Sequence, residues 1–169
     1  MPLSMYQASV PVFTRMLGNL SNILDKAQAH AEAKKFDSAV FLGMRLFPDM
    51  LPFSAQVQIA CDSPKLCCSR ITGADAPKFE DKEASIAELK TRIAGTLAFV
   101  KTITPAQLDG TEEKPVVLKL RGQEVTFRAQ DYLLHFVHPN LYFHVATAYD
   151  ILRHNGVEIG KTDFIGAPR

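Results

Sequence analysis

The chain has 169 residues, 47% hydrophobic and 22% charged, a size and balance that suit one domain over residues 1–169 with most of its apolar surface buried. Nineteen basic against eighteen acidic side chains leave a formal charge of +1, which gives no electrostatic footprint for nucleic acid. No run approaches the roughly 18 apolar residues that a membrane-spanning helix needs.

In chain order, the first predicted element is the strongest. Leu3, Val10, Leu17 and Leu24 recur every seven residues, and Tyr6, Phe13, Leu20 and Ala27 form a second row offset by three. The two rows make one apolar stripe, which predicts a long core-facing helix. Pro11 has no backbone donor, so the helix should kink there or begin near Ser9. Residues 1–19 carry this periodicity and show no basic cluster ahead of an apolar run, so they do not read as a signal peptide.

Residues 36–53 are apolar but punctuated by Pro48, Asp49 and Pro52, which predicts a packed connection into a second helix capped near Asp49 or Ser54. That helix should run to about Thr72 and stop at Gly73, with Pro64 marking a kink or a break. Its three cysteines, Cys61, Cys67 and Cys68, are odd in number and lack metal-ligand spacing, so they read as reduced thiols of a cytoplasmic protein. A polar loop from Asp75 to Lys82 leads to a third helix over 85–101, through Ile86, Leu89, Ile93 and Leu97.

Thr104-Pro105 and Asp109-Gly110 end that helix. Two short apolar runs about Arg121-Gly122 predict a β-hairpin over about 115–129, which is marginal alone and so should lie on the helices. Pro139 is placed as the first turn of a last helix with Leu141, Val145, Ala148 and Leu152 on its apolar face. Asn155-Gly156 ends it, with Arg153 and His154 placed where positive charge suits the helix dipole. The apolar residues Val157, Ile159, Phe164 and Ile165 predict that the tail, 157–169, docks. The sum is an all-α protein, an up-and-down-type four-helix bundle with a small inserted hairpin before the last helix.

Five histidines, His30, His135, His138, His144 and His154, are the candidates for metal or acid–base chemistry. At roughly 100° per residue, His144 lies about 180° from His135, so one helix does not converge His135, His138 and His144. His30 and His144 across the bundle, with a carboxylate, would suit zinc, nickel or non-haem iron. The simpler readings make His138 a helix-entry residue, His154 a dipole partner, His30 a solvated side chain and His135 a packed one. His144 flanks the apolar face and fits a partly buried imidazole and a site residue equally. Gln58 and Asp62, four residues apart on the second helix, would lie near His144 if the helices are neighbours, although a solvated face explains them as readily. No serine or cysteine has the context of an activated nucleophile, and no glycine-rich phosphate loop is present.

The segments Ser9-Val10-Pro11-Val12-Phe13, Phe47-Pro48-Asp49-Met50, Phe143-His144, Ala148 to Val157 and Gly160-Lys161-Thr162-Asp163-Phe164 resemble the DinB/YfiT-like superfamily of four-helix bundles, within an uncharacterised bacterial and fungal branch. The resemblance implies a metal site of one histidine on the second helix and two, four residues apart, on the last, with an arginine and a glycine downstream. His144 matches the last ligand, with Arg153 and Gly156 in the expected places. Asn140 stands where its partner histidine would be, and Leu51 to Gly73 holds no histidine. The expectation is therefore a bundle without the three-histidine metal site, binding a small molecule or protein partner through His144, Gln58, Asp62 and Asn140, with no cofactor. The alternative is a transferase or hydrolase using zinc or nickel on a non-standard ligand set; a third reading is a purely structural homodimer. Self-association is expected in any case, because the apolar content exceeds what one small core needs.

Overall fold

The helix-starting effect of Pro11 governs the N-terminal end. In the computed structural model, which describes residues 3–167, the first helix runs Val10–Lys34 with Pro11 in its first turn, where a missing N–H costs nothing. Its buried stripe comprises Val10, Phe13, Met16, Leu17, Leu20, Ile23, Leu24, Ala27 and Ala31. Because the helix begins at Val10, Leu3 falls outside the stripe and is 72% exposed, against the expectation that it continued the heptad row.

A short 3-10 segment, Ser38–Gly43, carries the chain to the second helix, Phe53–Thr72. Neither Asp49 nor Ser54 caps that helix. Pro52 precedes it, and the first N–H, from Phe53, is satisfied by the carbonyl of Met44 at 2.8 Å. The helix passes through Pro64 without a break, and Gly73 closes it at φ 81°. The third helix, Ile86–Val100, starts as expected: the Ser85 hydroxyl accepts from the Glu88 N–H, and the Glu88 carboxylate accepts from the Ala84 N–H.

The hairpin pairs Pro115–Leu120 with Gln123–Arg128 in antiparallel register, Pro115 opposite Arg128 and Leu120 opposite Gln123. Arg121 and Gly122 make the turn with φ 49° and 85°, the left-handed pair that a two-residue hairpin needs. Val116 and Leu118 point inward and are buried, so the hairpin rests on the helices. Lys114 ties its base to the Ile71 carbonyl at the end of the second helix.

The last helix is longer than Pro139 suggests. Ala129–Asp131 is α-helical, Tyr132–Val137 is a wider turn with i→i+5 bonding, and His138–His154 is α-helical again. The joints at Asp131 and Val137 keep helical dihedrals, so 129–154 is one continuous run, here called the fourth helix. The wide turn has already departed from the i→i+4 pattern where Pro139 fails to donate, and the proline is absorbed instead of starting the helix.

The first helix packs on the third, the third on the second, the second on the fourth and the fourth on the first. First and second therefore sit on a diagonal of the bundle, and the 3-10 segment between them touches the first, second and third helices. The fourth helix ends at Gly156, φ 88°, where the Val157 N–H reaches back to the Leu152 carbonyl. The tail then docks on its own chain. Val157 and Ile159 are buried and Phe164 packs on the core, whereas Ile165 is 47% exposed. Arg15 donates to the Ile165 carbonyl at 2.8 Å, Asn19 donates to the Phe164 carbonyl at 2.8 Å, and Lys26 pairs with Asp163 at 2.7 Å.

Deleting residues 157–169 uncovers the sites of two fully buried aliphatic side chains, an expected loss of about 3 kcal/mol or more. At about 2–4 °C per kcal/mol for a protein of this size, the melting temperature should fall by at least about 6 °C. Equal melting of truncated and full chains by circular dichroism would show that the tail does no packing.

Candidate functional site

The second and fourth helices pack extensively on each other, and three polar contacts cross between them among the described residues. His144 Nδ1 lies 2.7 Å from Gln56 Oε1, Asn140 Nδ2 donates to Ser63 Oγ at 2.7 Å, and Arg70 Nη1 donates to the Tyr132 hydroxyl at 2.7 Å. Positions 56, 63 and 70 ascend the second helix while 144, 140 and 132 descend the fourth, so the two run antiparallel and the contacts form the rungs of a ladder. The seven-residue spacing on the second helix puts all three polar groups on one stripe.

The first rung is buried: Gln56 is 1% and His144 8% exposed. The Gln56 amide donates to the Leu51 carbonyl at 3.0 Å, which turns its oxygen toward the imidazole. His144 must then donate from Nδ1, leaving Nε2 with a lone pair. Burial lowers the His144 pKa, so the ring is held in its neutral form. The second rung continues along its own helix, because Ser63 donates its hydroxyl proton to the Ile59 carbonyl at 2.9 Å.

Gln58 and Asp62 lie on the neighbouring helix as expected, but they face away from His144. Gln58 donates to Glu83 at 2.8 Å, and Asp62 pairs with Lys65 at 2.7 Å and with Arg92 of the third helix at 3.2 Å. Arg92 also binds Glu83 at 2.8 Å and Asp81 at 2.9 Å, with its guanidinium over the Phe79 ring. Burial disfavours the Glu83 carboxylate, but hydrogen bonds from Arg92 and Gln58 outweigh it and hold its pKa below the usual value. This network fastens the 74–85 loop to the third helix.

The other histidines do not converge. His30 packs edge-on against Phe36 and approaches Gly156. His135 and His154 are exposed. His138 is no helix-entry residue: it sits inside the fourth helix, edge-on to Phe13 and tilted against Tyr142, and burial lowers its pKa. The three thiols are unpaired and buried, and burial pushes Cys61 and Cys68 up to about 12 and Cys67 well above its usual value. They are core side chains, not nucleophiles.

Beside the second and third rungs a cleft of about 210 Å³ lies under the hairpin. The second helix contributes Ile59, Asp62, Ser63, Leu66 and Arg70 to its walls; the wide turn and the residues after it contribute Tyr132, Phe136, Val137 and Asn140. Leu118, Lys119 and Leu120 of the hairpin form the roof. Of the four site residues expected from sequence, Asn140 and Asp62 line this cleft, while His144 and Gln58 do not. Gln56, Ser63, Arg70 and Tyr132 were not singled out, and the heptad of polar residues at 56, 63 and 70 was the available signal.

The donor set does not fit the three-histidine metal site that the resemblance implies. The two positions on the fourth helix hold an imidazole bonded to Gln56 and an amide bonded to Ser63. Among the described residues, no group of three or more His, Cys, Asp or Glu side chains is placed to hold an ion.

Four helices in this ring order, with a hairpin ahead of the last, define a DinB-like helical bundle. A crystal structure of a DinB family member protein from Shewanella denitrificans is similar at a TM-score of 0.90 and 42% identity, over 96% of this chain and 92% of that one. The family described as Domain of unknown function (DUF1993) matches residues 5–165, and the chain belongs to it. No curated protein matches the chain.

The first rung should behave as a coupled pair. At pH 7.5, Gln56→Leu leaves a buried Nδ1–H unsatisfied and His144→Leu leaves a buried amide oxygen unsatisfied, each costing about 1–3 kcal/mol. The double variant should lose about 1 kcal/mol or more less than the sum in urea unfolding. Additive losses would mean that the contact contributes nothing as a pair.

Proposed function

We propose that this protein is a small-molecule-binding member of the DinB-like bundles, with its ligand site in the cleft between the second helix, the wide turn of the fourth and the hairpin. The observation that carries the reading is the lining. Apolar walls from Ile59, Leu66, Leu118, Phe136 and Val137 surround a few convergent polar groups on Ser63, Asn140, Arg70 and Tyr132, the composition of a ligand pocket. The wide turn supports it, since such insertions are frequent at functional sites. His144 and Gln56 act from beside the cleft, holding the helix pair in register at one end. Asp62 and Asn140 are the residues of the expected set placed to touch a ligand.

In this reading the protein works without a divalent metal. Protein purified without chelator should carry well under one equivalent of zinc, nickel or iron by mass spectrometry, and a fragment screen by NMR should give binders that shift the methyl resonances of Ile59, Leu118 and Val137. Near-equimolar metal that is lost in His144→Ala would favour instead a transferase or hydrolase with a non-standard ligand set. Binders that all map elsewhere would defeat the cleft.

We further propose that the protein self-associates and resides in the cytoplasm. Exposed Phe36, Val40, Leu46, Phe47 and Leu51 concentrate on the connection between the first and second helices, and Tyr142 and Phe143 add to the outer face of the fourth. Three buried unpaired thiols suit a reducing compartment. Light scattering coupled to gel filtration should give about twice the chain mass of 18.7 kDa; a monomer mass across micromolar concentrations would defeat the dimer.

A further inference from the structure

We propose that the cleft takes a small monocarboxylate with an apolar body, the carboxylate held by Arg70 and the Tyr132 hydroxyl. The inference rests on the cleft being the ligand site and adds the chemistry of its occupant.

Charge is distributed unevenly along the cleft. At one end the Asp62 carboxylate is engaged by Lys65 and by Arg92, which also serves Glu83 and Asp81. At the other end Arg70 lines the wall with no carboxylate partner among the described residues. The unpaired guanidinium makes this end of the cleft cationic, and an anion is its complement.

Hydrogen-bond bookkeeping refines this to a carboxylate. One guanidinium N–H of Arg70 is spent on the Tyr132 oxygen, which leaves the rest of its donor fork open. The Tyr132 hydroxyl accepts that bond and keeps its own proton to give. Two donors therefore stand side by side at the third rung, matching the two oxygens of one carboxylate. Tyr132 is 1% exposed, and its ring lies against Phe127 and Phe136, so the hydroxyl is held by packing before any ligand arrives.

The rest of the cleft specifies the body. From Arg70 to Ser63 the second helix rises about 10 Å, and Leu66, Phe136, Val137 and Leu118 occupy the interval. The volume of about 210 Å³ equals the share of liquid taken by about seven water molecules. A chain of about six carbons fills that space and reaches most of the way along it. Asn140, whose amide nitrogen is committed to Ser63, leaves its carbonyl oxygen as a polar stop at the far end.

The test is an NMR titration of the full chain with sodium hexanoate, with hexanol and hexylamine as neutral and cationic probes of the same length. Hexanoate should shift the Leu66, Leu118 and Val137 methyl resonances with an affinity about tenfold or more above that of either control. Arg70→Gln, at an exposed position, should remove that advantage, bringing hexanoate down to the affinity of hexanol for the same variant. Arg70→Lys should restore part of it, and Tyr132→Phe should weaken hexanoate alone. Hexanol binding as well as hexanoate, with Arg70→Gln silent, would overturn the carboxylate while leaving the cleft a ligand site. Preference for hexylamine, or no shift at these methyls with any probe, would overturn it too; only the wider fragment screen decides whether the cleft binds anything else.

Discussion

The antiparallel contact of the second and fourth helices is the constraint on which the rest of the molecule turns. Helix pairs buried by apolar side chains alone can slide by a turn at small cost, because hydrophobic contact is non-directional. Hydrogen-bonded rungs resist sliding, since a shift would strand the buried Gln56 and His144 groups and part the two half-buried rungs. The rungs at Gln56 and His144, Ser63 and Asn140, and Arg70 and Tyr132 therefore set the register of the pair. Between the last two, seven residues on the second helix are matched by eight on the fourth. The wide turn at Tyr132–Val137 takes up the extra residue, because i→i+5 bonding uses more residues per turn. The turn, the rungs and the cleft are one arrangement.

The fold was legible in the sequence to the extent that local rules decide it. The heptad rows from Val10 onward, the turn at Arg121-Gly122 and the glycine stops at 73 and 156 each act within a few residues, and each is where the pattern put it. Pro139 shows the limit. A proline near the start of an apolar stripe can mark a first turn, but here Tyr132–Val137, ending two residues before it, are already helical in a wider form that no periodicity of 3.6 detects.

The site was legible in part, and the reason lies in the rotation of the second helix. That helix is buried against the third helix on one side and the fourth on the other, so polar residues on either stripe find partners. Gln56 and Gln58 are two residues apart and thus about 200° around the helix. Gln58 with Asp62 reads as the better pair by i, i+4 spacing, yet that stripe meets Arg92 and the loop around Glu83. The stripe of Gln56, Ser63 and Arg70 meets the fourth helix. His144 stood out by its place beside the apolar face and Asn140 through the resemblance, and both lie on the ladder; their partners could not be chosen without knowing which way the second helix faces.

The three thiols of that same helix turn it into a built-in clock. Cys61, Cys67 and Cys68 are unreactive while packed, since burial removes both access and the thiolate. Alkylation then waits for the second helix to part from its neighbours, and under slow chemistry the rate reports the free energy of that opening and not the reagent. Cys61 and Cys67 lie on either side of the Ser63 rung, so their relative labelling distinguishes fraying from one end of the helix from loss of the whole ladder at once. The protein thus carries, without added label, a residue-resolved measure of how cooperatively its central helix pair is held.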